Sequence, residues 1–331
     1  MIISKTPYRI SFFGGGTDYP SWYKKRGGFV ISASIDKYIY ISCRTLPPFF
    51  NHKYRIVWSH IETVKQLNQI KHKPVREMIK KYKIKDGLEI HYDGDLPARS
   101  GMGSSSVFVV GLMNLFYNFK KKKISRKNLA KNSIHFEQKI LKEVVGSQDQ
   151  IAAAYGGFNK IIFRKNGNFR VHPISIKSKT IKKLNKSLLL VYTGYKRTAH
   201  HIAKNYVDKL QTSKKEYILK ISNYATMAEK ALKKGQLDKF GKLLNDAWIE
   251  KKKLSMSITN PAIDKIYNMA IRNGALGGKL LGAGGGGFFI FYVPYLKQKK
   301  FIKKFRKFIT IPFKFTTEGS KILFCYQHSQ N

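Results

Sequence analysis

Short runs in which aromatic and β-branched residues alternate with polar ones predict strands over residues 8–13, 35–42 and 54–59. The first of these stops at Gly14, Gly15 and Gly16, where the backbone is free to turn. Leu88, Glu89, Ile90, His91 and Tyr92 alternate in the same way and are closed by Asp93-Gly94-Asp95, which marks another strand. Beyond Gly101 and Gly103, three serines lead into an apolar stretch that reaches Phe119. It is too long for a strand, so a mostly buried helix with serines at its N-cap is expected. Residues 125–143 predict a second helix, followed by turn residues 146–150 and a small-residue turn at 152–157.

Strand patterns return at 158–163, 169–174 and 187–193, and residues 198–256 read as helical with a break near Gly235. The remainder predicts a helix (261–273), a strand, a glycine run, a strand (288–293), a helix (296–308) and two short strands near Phe313 and Ile322. No fixed-period repeat or low-complexity linker interrupts this order. The mixture predicts an α+β architecture in two lobes, 1–185 and 186–331.

A length of 331 residues with 43% apolar side chains supplies a real core. Charge adds a question: 63 Lys and Arg face 19 Asp and Glu, a formal net charge of +44 that invites a polyanionic partner. A basic nucleic-acid-binding protein is therefore the reading from a different class. It requires a basic face interleaved with exposed aromatics, whereas the basic residues here are dispersed and no helix-turn-helix, RRM or zinc signature is present. A Lys-, Asn- and Ile-rich coding bias produces the same excess. Cys43 and Cys325 are far apart and lack partners at metal-ligand spacing, so neither a disulfide framework nor a zinc site is expected, and a cytoplasmic setting is. Apolar stretches such as 107–113 are too short to cross a bilayer, and residues 1–7 carry no long apolar run, so neither export nor membrane spanning is expected.

Three glycine-rich stretches carry the chemistry. Between a strand and a helix lies Leu96-Pro97-Ala98-Arg99-Ser100-Gly101-Met102-Gly103-Ser104-Ser105-Ser106. Glycines let the backbone approach an anion, a helix N-terminus favours phosphate, and serine hydroxyls add donors or a Mg²⁺ ligand. The stretch is neither a P-loop nor a dinucleotide fingerprint, and a serine-capped helix after a tight turn uses the same residues. Residues 9–18 set Arg9 and Asp18 on either side of a glycine turn, and residues 279–287 form a further glycine-rich turn near the other end.

In this order and at these positions, the trio resembles the signature motifs of the GHMP small-molecule kinases, from Pro7 to Phe289. The central motif of that family, P-x-x-x-G-L-G-S-S-A, is matched here except for Met102 in place of Leu and Ser106 in place of Ala. The first motif, Gly14-Gly15-Gly16-Thr17-Asp18, differs from the Gly-Glu-His-Thr-Asp of galactokinases and is similar to the heptose 7-phosphate and fucose kinase branch, as are Ile35-Asp36-Lys37-Tyr38 and residues 146–150. The resemblance implies an N-terminal lobe like ribosomal protein S5 domain 2, a ferredoxin-like C-terminal lobe, and ATP in the cleft between them.

It also implies roles. Gly101, Met102, Gly103, Ser104, Ser105 and Ser106 would hold the ATP phosphates, and Ser105 with Glu137 would hold Mg²⁺, Glu143 being the rival carboxylate. Asp149 would orient or accept the proton of the attacking hydroxyl, and Arg9 would neutralise charge beside it. Gly16, Thr17 and Asp18 would bind sugar hydroxyls, and Gly285 and Gly286 would line the cleft from the second lobe. Lys196 and Arg197, at a strand end, are candidates for a phosphate on the substrate. Trp58 and Asn68 are candidates for the adenine pocket. The implied reaction is ATP-dependent phosphorylation of the anomeric C1 hydroxyl of D-glycero-D-manno-heptose 7-phosphate, giving the 1,7-bisphosphate for nucleotide-activated heptose and surface polysaccharide. A fucokinase- or galactokinase-like kinase of a neutral sugar is the alternative. The expected partners are the sugar phosphate and ATP, without nucleic acid or membrane, and with a homo-oligomer left open.

Overall fold

In this computed structural model, which describes residues 1–195 and 199–325, the chain enters as β1 (Ile2–Phe13), turns through α1 (Pro20–Arg26) and returns antiparallel as β2 (Gly28–Leu46). A hairpin of β3 (Tyr54–Val57) and β4 (Ile61–Val64) follows, then α2 (Lys73–Tyr82) and β5 (Gly87–Gly94). Next comes α3 (Ser104–Phe119), buried on every side between Ser106 and Phe116, as its unbroken apolar run requires. It packs on β1 and β2. Helix α4 (Arg126–His135) runs into a π-helical turn at Phe136–Ile140, and α5 (Gln148–Tyr155), β6 (Phe158–Phe163) and β7 (Phe169–Pro173) follow.

The second half contains α6 (Ser178–Ser187), β8 (Leu188–Tyr192), α7 (Ala199–Val207), α8 (Lys215–Lys233), α9 (Leu237–Lys252) and α10 (Pro261–Arg272). It closes with β9 (Gly277–Leu280), β10 (Phe288–Tyr292), α11 (Gln298–Lys304), β11 (Thr310–Ile311) and β12 (Lys321–Cys325).

Two sheets result. The first runs β12-β1-β2-β5-β3-β4, with β6 joined to the early part of β2 and β7 joined to β6. β2 changes partner along its length: residues 28–33 pair with β6 and residues 39–46 with β5. The second sheet is antiparallel, in the order β11-β8-β10-β9. Its faces carry Val191, Leu280, Phe289 and Phe291 into a cluster with Trp248 and Tyr267. A lobe boundary near residue 185 is a proposal; β12 returns to the first sheet beside β1. The end of β1, the N-termini of α3 and α5, and β9 all border one cleft.

The elements differ from expectation in places with a physical reason. Residues 152–157, read as a turn from their small side chains, are largely the body of α5, whose alanines are buried and need no bulk. This sets Asp149 on the first turn of a helix. The helix expected over 125–143 loses α-helical geometry after His135, where the π-helical turn takes in Glu137. Helices α1, α2 and α6 were not expected. The first two each carry a proline in the first turn, where its missing N–H costs nothing. The strand expected near Phe313 lies at Thr310–Ile311, and Phe315 makes a single bridge to Ile35.

Candidate active site

The N-terminus of α3 decides between the two readings of its glycine-serine stretch. Its N-cap is Gly103, in left-handed conformation (φ 79°, ψ 20°), and no side chain caps the helix. Ser104, Ser105 and Ser106 occupy the first turn instead, and the Ser104 hydroxyl turns back to accept from the Arg99 N–H at 3.2 Å. The expected serine N-cap is thus absent, and the first-turn N–H groups and the helix dipole are left for an anion. Positive φ recurs at Arg99, Gly101 and Gly103 but not at the residues between, so the loop curls rather than extends. Arg99 takes that conformation without the freedom of glycine, a strain of the kind found at ligand-binding loops. Met102 is fully buried and offers only its backbone.

A cavity of about 620 Å³ opens in front of this helix end. Arg9, 3% exposed, reaches into it from β1 and grips Asp149 with both fork nitrogens: Nε donates to Oδ1 at 2.7 Å and a terminal nitrogen to Oδ2 at 2.6 Å. The other terminal nitrogen donates to the Gly101 carbonyl at 3.0 Å, tying the pair to the curled loop. Bidentate pairing of this kind fixes orientation as well as charge. Gly103 abuts the pair so closely that a Cβ there would sit 3.1 Å from Asp149 Oδ2 and 3.3 Å from Arg9 Cζ.

Asp18 lines the same cavity. It accepts from the Gly16 N–H at 2.9 Å and from Gln148 Nε2 at 3.0 Å. Burial, reinforced by the charge of Asp149, pushes its carboxyl up to about 6 against the pull of those hydrogen bonds. Nearby, Ser11 Oγ and Gln148 Oε1 are buried with no hydrogen-bond partner among the described residues, although both residues line the cavity. Such groups suit a polyhydroxylated ligand. Thr17, expected beside Asp18 as a sugar contact, is correctly paired in sequence but not in space. Its hydroxyl is buried and bonded to the carbonyls of Gly14 (2.8 Å) and Phe29 (3.0 Å), outside the cavity lining, where it holds the turn closed.

Glu137 is fully buried behind the serines. Ser105 Oγ donates to its Oε1 at 3.3 Å, Gln150 Nε2 donates to Oε2, and burial pushes its carboxyl up to about 8. Ser105 and Glu143 line the cavity, while Glu137 does not. Oxygen donors from one hydroxyl and one carboxylate, completed by phosphates, suit Mg²⁺, which rarely takes an all-protein cage. Among the described residues no group of three or more His, Cys, Asp or Glu could hold a metal alone.

The third glycine stretch contributes differently from expectation. Gly282 and Ala283 line the cavity, whereas Gly285 and Gly286 do not. The Gly285 N–H donates to the Ile258 carbonyl at 2.7 Å, and the space beside Gly286 is taken by Tyr195. These glycines pack the second sheet against its neighbours. Lys196 and Arg197 lie outside the described residues. Trp58 donates to Glu62 and stacks edge-on with His60 and His72, away from the cavity, as does Asn68 in its 3₁₀ turn. Lys73, Lys142, Lys251 and Lys279 line the cavity and were missed. Single lysines among 63 basic residues carry no signal in sequence.

Comparison with known proteins adds to this geometry. The family model for the GHMP kinases N terminal domain matches residues 68–157, and that for the GHMP kinases C terminal region matches residues 228–309. A D-glycero-alpha-D-manno-heptose 7-phosphate kinase of Campylobacter jejuni is 31% identical over 334 residues, covering 97% of this chain and 98% of its own. A galactokinase of Pyrococcus furiosus is 26% identical over 90% of each chain. The crystal structure of a D-glycero-D-manno-heptose 1-phosphate kinase from Bacteroides thetaiotaomicron aligns with a TM-score of 0.80 at 25% identity, covering 99% of this chain and 100% of that one. A mevalonate kinase structure shares the fold, with a TM-score of 0.71 at 23% identity over 96% of this chain and 100% of that one.

Proposed function

Because the chain belongs to the GHMP kinase family and is a sugar kinase, we propose that it transfers the γ-phosphoryl group of ATP to the anomeric C1 hydroxyl of D-glycero-D-manno-heptose 7-phosphate. The products are the 1,7-bisphosphate and ADP. One observation carries the chemistry: the Arg9–Asp149 pair, the buried Asp18 and the uncapped N-terminus of α3 open into a single cavity. Similarity over nearly the full length to the Campylobacter jejuni enzyme supports the choice of sugar.

Phosphoryl transfer depends on positioning and charge stabilisation more than on covalent chemistry. The N–H groups of the curled loop and of Ser104 to Ser106 hold the phosphates. Asp18, with Gln148 and Ser11, binds sugar hydroxyls and sets the C1 oxygen in line. That oxygen attacks the γ-phosphorus, the bond to the β,γ-bridging oxygen breaks with its electron pair leaving on ADP, and the hydroxyl proton passes to Asp149. Arg9 keeps Asp149 oriented and stabilises the charge that develops beside it. Ser105 and Glu137 would hold a Mg²⁺ ion, whose chemistry is to neutralise charge on the terminal phosphates. The anomeric phosphate formed suits nucleotidyl activation of the heptose for surface polysaccharide.

A panel of heptose 7-phosphate, fucose, galactose and mevalonate, assayed for sugar-dependent ADP release, tests the reading. Turnover with heptose 7-phosphate at least about tenfold above the others, in kcat/KM, is expected. Faster turnover of fucose or galactose would assign the chain to a neutral sugar instead.

A further inference from the structure

Among the described residues, Lys279 is the one buried lysine that lines the cavity, and its position is unusual. It projects from β9 of the second sheet, is 7% exposed, and donates to the Phe12 carbonyl at the end of β1, 3.0 Å away. Among the described residues this is its sole hydrogen bond, and the residue lines the cavity. Of the other three lysines of the cavity, Lys73 donates to the Leu141 carbonyl, Lys251 donates to those of Leu280 and Gly282, and Lys142 is exposed at the rim.

Burying an ammonium ion against a neutral carbonyl alone is costly, and a second cation nearby makes it worse. Lys279 is close enough to Arg9 to feel its charge, with Asp18 as the opposing influence. Two buried cations from opposite sheets repel each other across a space until an anion enters it. The loop at the start of α3 ends against Arg9 and Asp149, so a nucleotide whose phosphates follow that loop presents its terminal phosphate there.

Resting on the kinase reading above, we propose that Lys279 is a catalytic residue that donates to the oxygens of the phosphoryl group in transfer. Arg9 holds one side of that group from the first sheet and Lys279 the other from the second. The C1 oxygen forms its bond to phosphorus between them as the bond to ADP breaks. The contact strengthens as the bridging oxygen leaves and charge redistributes over the equatorial oxygens, so it acts on the transition state more than on either substrate.

The protonation state provides an independent handle. Burial, and then Arg9, hold the Lys279 ammonium down to about 7 in the unliganded protein, while Asp18 opposes them. Arg9 from β1 and Asp18 from the turn after β1 act on it directly, and the other charged groups lining the cavity are Lys73 from α2, Arg99 from the loop before α3, Lys142 and Glu143 from the segment before α5, Asp149 from α5 and Lys251 from α9. The cationic form is required, so kcat/KM falls as pH rises through about 7. An arginine stays charged and removes that limb.

The test compares wild type, Lys279→Met and Lys279→Arg. Lys279→Met lowers kcat by about 100-fold or more, with both KM values within about threefold. Lys279→Arg keeps a larger share of kcat and loses the alkaline limb. Unchanged kcat in Lys279→Met overturns the proposal. So does a raised KM for the sugar phosphate at intact kcat, which would make Lys279 a reader of the sugar's own phosphate. So does a lowered melting temperature at intact turnover per folded molecule, the mark of a structural tether. A second measurement works without turnover: calorimetric binding of ADP with Mg²⁺ and aluminium fluoride, a mimic of the phosphoryl in flight, against ADP with Mg²⁺ alone. Wild type gains affinity from the fluoride and Lys279→Met loses that gain. If wild type gains nothing, or the variant keeps the gain, the proposal fails. Absence of sugar phosphorylation by wild type would instead remove the kinase reading.

Discussion

Two glycine-rich turns in this molecule look alike as text and behave in opposite ways. At Gly103 the left-handed backbone turns a helix end toward an open cavity, and what lies nearest is the Arg9–Asp149 pair. At Gly284, also at positive φ (122°), the missing side chain makes room for protein: a Cβ there would meet Ile258 Cα at 2.5 Å and its carbonyl oxygen at 2.7 Å. The first turn leaves N–H groups for a ligand, the second packs backbone on backbone. Glycine content reports that the chain must bend or approach closely. Only the identity of the neighbour says whether the bend serves binding or packing.

The largest expected effect falls at the functional turn. Asp149→Asn should lower turnover on the order of 10³-fold, since the group that takes the hydroxyl proton is lost while its shape remains. Loss of its charge also leaves Arg9 buried without a counter-ion, so a lower melting temperature should accompany it. Steady-state rates and a thermal melt on one preparation check both.

Next comes the direct contrast between the two turns. Gly103→Ala should reduce turnover about 100-fold by pushing on Asp149 and Arg9, at a stability cost of about 1 kcal/mol for the left-handed backbone. Gly284→Ala should do the reverse, losing about 2–3 kcal/mol from overpacking with turnover per folded molecule within about threefold. Urea unfolding and rates measured side by side read out both quantities. A Gly284→Ala protein that is stable but inactive would erase the distinction.

A smaller effect concerns Glu137. Its carboxyl is raised from an ordinary value of 4.5 to about 8, so its contribution to the stability of the unliganded protein is complete below about 4.5 and is lost as pH rises to about 8. Glu137→Gln cannot ionise. Its melting temperature relative to wild type should therefore climb steadily between pH 4.5 and 8, while its Mg²⁺ requirement rises about tenfold. A pH-independent difference would contradict the buried-acid assignment.

The smallest is Thr17→Val, which removes the hydroxyl that ties Gly14 and Phe29 together. It should cost about 1 kcal/mol and leave the sugar KM unchanged.

Much of this was legible before the structure. The extent of α3 followed from an apolar run that begins after two glycines and three serines and reaches Phe119, and the motif resemblance brought Arg9 and Asp149 together although 140 positions separate them. Two kinds of feature were not. Burial hides behind composition: alanines at 152–154 looked like a turn because small side chains serve a tightly packed helix equally well. Direction is also invisible, since Thr17 and Asp18 are adjacent yet point to different places, one into the turn and the other into the cavity. Lys279 combines both difficulties, a lone lysine on a four-residue strand whose burial depends on a sheet formed by distant segments.

The account stands or falls on the reaction itself. ³¹P NMR of the purified protein with ATP, Mg²⁺ and D-glycero-D-manno-heptose 7-phosphate should show a new phosphate resonance coupled to the anomeric proton, growing in step with ADP. A new phosphate on any other carbon, or ADP release without a phosphorylated sugar, would contradict it.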